Sequence, residues 1–125
     1  MRKISLLMFV MLFSGAFAKQ TLACSCGLPT TPPKVFDYAK WLKAHQGAVF
    51  FGKATSIKED RSKYIKTVHF EIKRHWKGIE KQTEISVTTP LDGAACGVPY
   101  ETGEEYFVAA WKTKIGFVTN LCSWL

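Results

Sequence analysis

The pattern of apolar and polar residues changes character along the chain. Ile4 to Phe13 is strongly apolar, with Arg2 and Lys3 before it and the small residues Ser14, Gly15, Ala16 and Ala18 after it. Val35 to Gln46 has helical spacing: Val35, Tyr38, Ala39 and Leu42 fall on one face, Asp37, Lys40 and Lys43 elsewhere, and Gly47 is the expected stop. Beyond Gly47 the period becomes that of β-strands. Ala48 to Ile57 is rich in Val, Phe and Thr, and Glu59 to Lys63 reads as a charged turn. Thr67 to Trp76 alternates, with Val68, Phe70, Ile72 and Trp76 on one face and His69, Glu71, Lys73 and His75 on the other. Glu84 to Thr88 alternates again and Pro90 closes it. Leu91 to Gly103 is a loop, Tyr106 to Trp111 an apolar strand, and a last strand is expected near Phe117 to Leu121.

This order predicts a mainly β domain: a five-stranded Greek-key barrel of the OB type with one or two helices. Closure of the barrel leaves no long strand edge open to association. The lead from Cys24 to Lys34 carries Pro29, Pro32 and Pro33 and is expected to be irregular.

The N-terminal pattern is that of a signal peptide: a basic start, an apolar run too short to span a bilayer, then small residues. Two cleavage sites fit. Ala16-Phe17-Ala18 would leave Lys19 first, and Thr21-Leu22-Ala23 would leave Cys24 first. A lipid anchor on Cys24 ranks lowest, because Thr21 stands where a lipobox prefers an aliphatic residue. The expected domain is therefore 24–125, about a hundred residues with one modest core, in a secreted or periplasmic protein without a membrane span. The net charge of the chain is +7. From Cys24 onward there are 14 Lys and Arg against 10 Asp and Glu, so the expected domain is only mildly basic. A charge that small favours acidic partners weakly, and with export it argues against nucleic acid.

All four cysteines, Cys24, Cys26, Cys96 and Cys122, fall in the expected domain. An even number in a small exported chain predicts disulfides. The short loop strains a bridge between Cys24 and Cys26, so each is expected to reach separately to Cys96 or Cys122, in either combination. No C-x-x-C pair suggests zinc or a redox dithiol.

Catalytic constellations are scarce. The chain has no H-E-x-x-H, G-x-S-x-G, phosphate loop or dinucleotide fingerprint, so neither an enzyme nor a cofactor is expected. His69 and His75 share a strand face but sit roughly 20 Å apart, too far for one ion. The aromatic residues Phe50, Phe51, Phe70, Trp76, Tyr106, Phe107 and Trp111 are assigned mostly to core packing rather than to a stacking platform.

Several short motifs run in order through the domain: Cys24-Ser25-Cys26, Glu71-Ile72-Lys73 leading to Trp76-Lys77-Gly78, Thr89-Pro90 before Ala95-Cys96-Gly97, Glu104-Glu105-Tyr106, and Cys122-Ser123. In these the chain resembles the inhibitory N-terminal domain of the tissue inhibitors of metalloproteinases, within the netrin-like family. The resemblance implies an OB-type barrel with Cys24 bonded to Cys96 and Cys26 to Cys122. It also implies a partner, a zinc metalloprotease, and a mechanism. The α-amine and carbonyl oxygen of Cys24 would chelate the protease's zinc, Ser25 would point into the adjoining specificity pocket, and the ridge Ala95, Cys96 and Gly97 would fill the cleft alongside. If Lys19 came first instead, Cys24 would carry an amide and lose the chelate, and the alternative expectation is a netrin-like binding module without inhibitory activity.

Overall fold

A computed structural model describes residues 24–26 and 37–123. The signal-peptide expectation and its cleavage sites lie outside the described residues. So does most of the irregular lead, from 27 to 36, together with the first residues of the expected helix.

The strands are β1 (Gly47–Asp60), β2 (Ile65–Lys77), β3 (Glu84–Pro90), β4 (Glu105–Thr113) and β5 (Gly116–Val118), preceded by the helix α1 (Tyr38–Ala44). They close into a barrel in the order β1-β2-β3-β5-β4, with β4 paired back onto β1. Every pair is antiparallel except β3 with β5, which runs parallel through Val87 with Phe117 and Thr88 with Val118. The first three strands form a meander, the chain then crosses to lay β4 on β1, and β5 fills the gap. This is the five-stranded Greek-key OB barrel that the residue pattern predicts.

Closure depends on how β1 bends. Its pairing with β2 shifts register three times, leaving Trp76, Lys73 and Thr55 as extra, unpaired residues. Each bulge adds local twist, which lets strands of 14 and 13 residues coil around a small core. The bulges also revise the alternation on β2. Val68 and Phe70 are fully buried as expected, but Trp76 faces outward and is 41% exposed. Phe107 and Trp111 lie outside too, whereas Phe50 and Phe70 occupy the core and Tyr106 packs against it.

Inside, Phe70 meets Phe50 and Tyr100 edge-on at 5.5 and 5.2 Å, the favoured aromatic geometry. Val68, Val87 and Val108 complete the wall, and Ala48, Ala54 and Ala110 admit the rings between them. At one end of the barrel the backbones come too close for any side chain. A Cβ on Gly47 would lie 1.9 Å from the Ala110 carbonyl oxygen, and one on Gly78 would lie 2.1 Å from that of Gly47. Gly47 is therefore a strand-packing residue, not the helix stop that its position suggests.

The helix ends earlier, at Ala44, and is only 7 residues long, marginal by itself. Asp37 caps its start by accepting the Lys40 amide at 3.0 Å. Lys77 from β2 closes its other end, its ammonium donating to the carbonyls of Leu42 and Lys43 at 2.7 and 2.8 Å. Tyr38 and Ala39, expected on the buried face, are exposed. Leu42, expected on that face, is half-buried, as is Trp41, and with Val49, Trp76 and Phe107 they line an apolar groove between helix and barrel. His45 follows α1, only 2% exposed, between the rings of Trp41 and Trp111 at 5.1 and 4.3 Å. Its Nε2 donates to the Ala110 carbonyl at 3.1 Å, while the buried Nδ1 has no hydrogen-bond partner among the described residues.

Burial is the main cause that lowers the His45 pKa below 6.5, the Ala110 bond opposes it, and the nearby Lys77 charge lowers it further. At pH values between the lowered folded value and the ordinary one, the unfolded chain binds more protons than the folded one. Stability is then expected to be lost as pH falls from about 6.5 through the folded value. Urea midpoints between about pH 7.5 and about pH 5 should fall in the native protein and flatten in His45→Phe; parallel profiles would contradict this.

Candidate functional site

The opposite end of the barrel gathers the cysteines. After Pro90 the chain turns sharply. Asp92 is extended, Gly93–Ala95 forms one short 3₁₀ turn, and Cys96 ends it in the left-handed region at φ 65°. Three interactions fix this turn. The Asp92 carboxylate accepts the Ala95 amide at 3.1 Å, the Asp92 carbonyl accepts the Gly97 amide at 2.7 Å, and the Cys96 amide donates to the Gly93 carbonyl at 3.1 Å. Asp92-Gly93 is a turn-forming dipeptide, and that signal marks the cap inside what reads otherwise as a featureless loop. The Asp92 carboxyl is held below the usual carboxylate range, first by a hydrogen bond from Tyr64 and then by the Ala95 amide.

The exposed crest of the turn is Gly93, Ala94 and Ala95; Cys96 is half-buried and Gly97 is buried. Gly97 is thus the foot of the ridge. A Cβ there would lie 2.2 Å from the Pro90 carbonyl oxygen and 2.6 Å from that of Asp92, so the ridge sits this close to β3 because the residue is glycine.

Cys24 is bonded to Cys96 and Cys26 to Cys122, one of the two combinations that the residues alone leave open. The sulfurs of Cys24, Cys96 and Cys122 all lie within 4.8 Å of one another, so the bridges form one cluster. Among the described residues this is the single group of three ligand-type side chains so close together, and disulfides occupy all of its sulfurs. Ser25, between two half-buried cysteines, is exposed. The structure therefore brings Cys24, Ser25, Ala95 and Cys96 together at one end of the barrel.

Cys122 has its own support, which no motif in the sequence signals. The Asn120 side-chain oxygen accepts the Cys122 amide at 2.8 Å, and the Ser123 hydroxyl accepts the Asn120 amide at 2.9 Å. Thr119, buried, donates from its hydroxyl to the Ala109 carbonyl at 2.7 Å and from its amide to Thr88 at 2.8 Å. The Leu121 amide donates to the Cys96 carbonyl at 2.9 Å. Ridge and C-terminal turn thus share a backbone bond as well as the sulfur cluster.

No protein-family model matches the chain, and no curated protein does.

Gly97→Ala is expected to force the ridge away from β3 and to cost about 1–3 kcal/mol, read as a lower denaturant midpoint. The Cys24–Cys96 bridge should at the same time become easier to reduce than Cys26–Cys122. An unchanged midpoint with unchanged reduction would contradict the packing role of that glycine.

Proposed function

We propose that the chain is a secreted or periplasmic inhibitor of zinc metalloproteases that works through Cys24 and Ser25. One observation carries the reading: Cys24 is tied to a capped, exposed turn, and Ser25, next to it in the chain, is exposed. A catalytic zinc keeps an open position for water or substrate. The α-amine and carbonyl oxygen of an N-terminal Cys24 would take that position and displace the attacking water. The zinc belongs to the protease; this chain holds none of its own in the proposal. Ser25 would enter the pocket beside the metal, and Ala95 with Cys96 would fill the adjoining cleft.

The physical advantage lies in preorganisation. Free N-terminal residues lose much conformational freedom on docking, and a disulfide to a fixed turn removes most of that loss beforehand. The motif resemblance from Cys24 to Cys122-Ser123 supports the same reading. It requires export with cleavage after Ala23, because an amide in place of the Cys24 amine cannot complete the chelate.

Only a neutral amine binds metal, and a free α-amine has a pKa near about 8. Inhibition is therefore expected to weaken as pH falls below that of the Cys24 amine, provided the target stays active. Protein beginning at Cys24 should inhibit members of a zinc metalloprotease panel, and acetylating its amine should raise the inhibition constant on the order of 100-fold, about 2.7 kcal/mol. Full protease activity at excess inhibitor, or inhibition that grows steadily toward acid, would overturn the proposal. The second reading, a netrin-like binding module, is favoured by the good cleavage site at Ala16-Phe17-Ala18. It expects partner binding that acetylation leaves unchanged.

A further inference from the structure

The ridge is held from a direction that its own sequence does not reveal. Tyr64 closes the β1–β2 hairpin in the left-handed region at φ 57°, where a large side chain is unusual and glycine or asparagine the common choice. The ring is half exposed, so core packing does not account for it. Its hydroxyl donates to the Asp92 carboxylate, on the oxygen that the Ala95 amide does not use. The Tyr64 carbonyl in turn accepts the Leu91 amide at 3.1 Å, and Ile65 pairs with Pro90. The hairpin is itself well ordered, since the Asp60 carboxylate accepts the amides of Ser62 and Lys63 at 3.1 and 3.2 Å.

A 3₁₀ turn of three residues has little stability of its own. Its cap is a single exposed aspartate, held to the turn through one carboxylate oxygen alone unless something holds the second. We propose that Tyr64 and Asp92 are the positioning pair of the ridge. The phenol fixes the Asp92 carboxylate, the carboxylate fixes the Ala95 amide, and the turn so held sets the direction in which Cys96 presents Cys24 and Ser25. The consequence for inhibition rests on the inhibitor reading; the consequence for ridge order does not. The electrostatics agree with the geometry. The Tyr64 hydroxyl is raised above its ordinary range by its bond to Asp92 and by that negative charge, with Arg61 opposing, and the Asp92 carboxyl is lowered.

Tyr64→Phe removes the hydroxyl alone, from a half-exposed ring, and leaves the hairpin to fold. In the variant, amide exchange at Ala95 and Gly97 should speed up about fivefold or more, while Phe70 and Val87 in the core keep native rates. The Asp92 carboxyl carbon, followed by NMR through its acid titration, should titrate at higher pH than in the native protein. A purely structural role for the ring would not move that titration. If the native protein inhibits a metalloprotease, the variant should do so several-fold more weakly. Unchanged exchange with an unchanged Asp92 titration would overturn the pair, whether or not the chain inhibits anything. Faster exchange and a shifted Asp92 in a chain that inhibits nothing would uphold the pair and remove the inhibitor reading. Faster exchange with undiminished inhibition would overturn the claim that ridge direction matters for docking.

Discussion

The disulfide between Cys24 and Cys96 joins two parts of the chain 72 residues apart, and both the order of this end of the barrel and its proposed chemistry depend on it. Without it, Cys24 and Ser25 would be tethered only through the neighbouring Cys26–Cys122 bridge and would have no bond to the ridge. With it, they lie against a turn that β3, the β1–β2 hairpin and the C-terminal turn hold from three sides. Closing a loop of that length stabilises the fold by about 4 kcal/mol in the chain-entropy model. Cys26–Cys122 closes a longer loop alongside; the loops overlap, so the two contributions do not simply add.

The barrel supplies rigidity at one end and accommodation at the other. At the cysteine end, Asp92 bonds to Ala95 and Tyr64 while Thr119, Asn120 and Ser123 bond to one another beside the sulfur cluster. At the far end, Gly47 and Gly78 let strand ends meet at backbone distance, and α1 covers the outer face through Trp41, Leu42 and the enclosed His45. That helix depends on partners outside itself, above all Lys77 on its last carbonyls. The two ends share the five strands but almost none of these polar contacts.

The strands were readable because each carries a local period of two, and Val68, Phe70, Ile85 and Val87 point inward as that period requires. The period fails where a residue has no partner across the ladder. Trp76 is such a residue: it shares a face with Phe70 by parity, yet the register shift beside it sends the ring outward to meet Phe107 at 4.9 Å. A bulge belongs to a pair of strands, so one strand's sequence does not display it. Strand β5 is shorter than its apolar residues suggest, because beyond Thr119, which still bonds to Thr88 of β3, residues 120–123 bond to one another and to the Cys96 carbonyl. At the candidate site, the four cysteines announced themselves by number and position. Asp92 went unread inside the loop Leu91 to Gly103 although Asp-Gly is a turn signal, whereas Tyr64 and Asn120 act through contacts distant in sequence or through a turn with no distinctive motif.

The proposed chemistry comes down to a single atom, the nitrogen of Cys24, and whether it is an amine or an amide. The intact mass of the exported protein, taken with and without reduction, decides this most directly. A chain beginning at Cys24 that gains four hydrogens on reduction is the predicted result, with both disulfides in place and the amine free. A chain beginning at Lys19, or a Cys24 carrying lipid, would contradict the inhibitory mechanism while leaving the barrel and its bridges as they are.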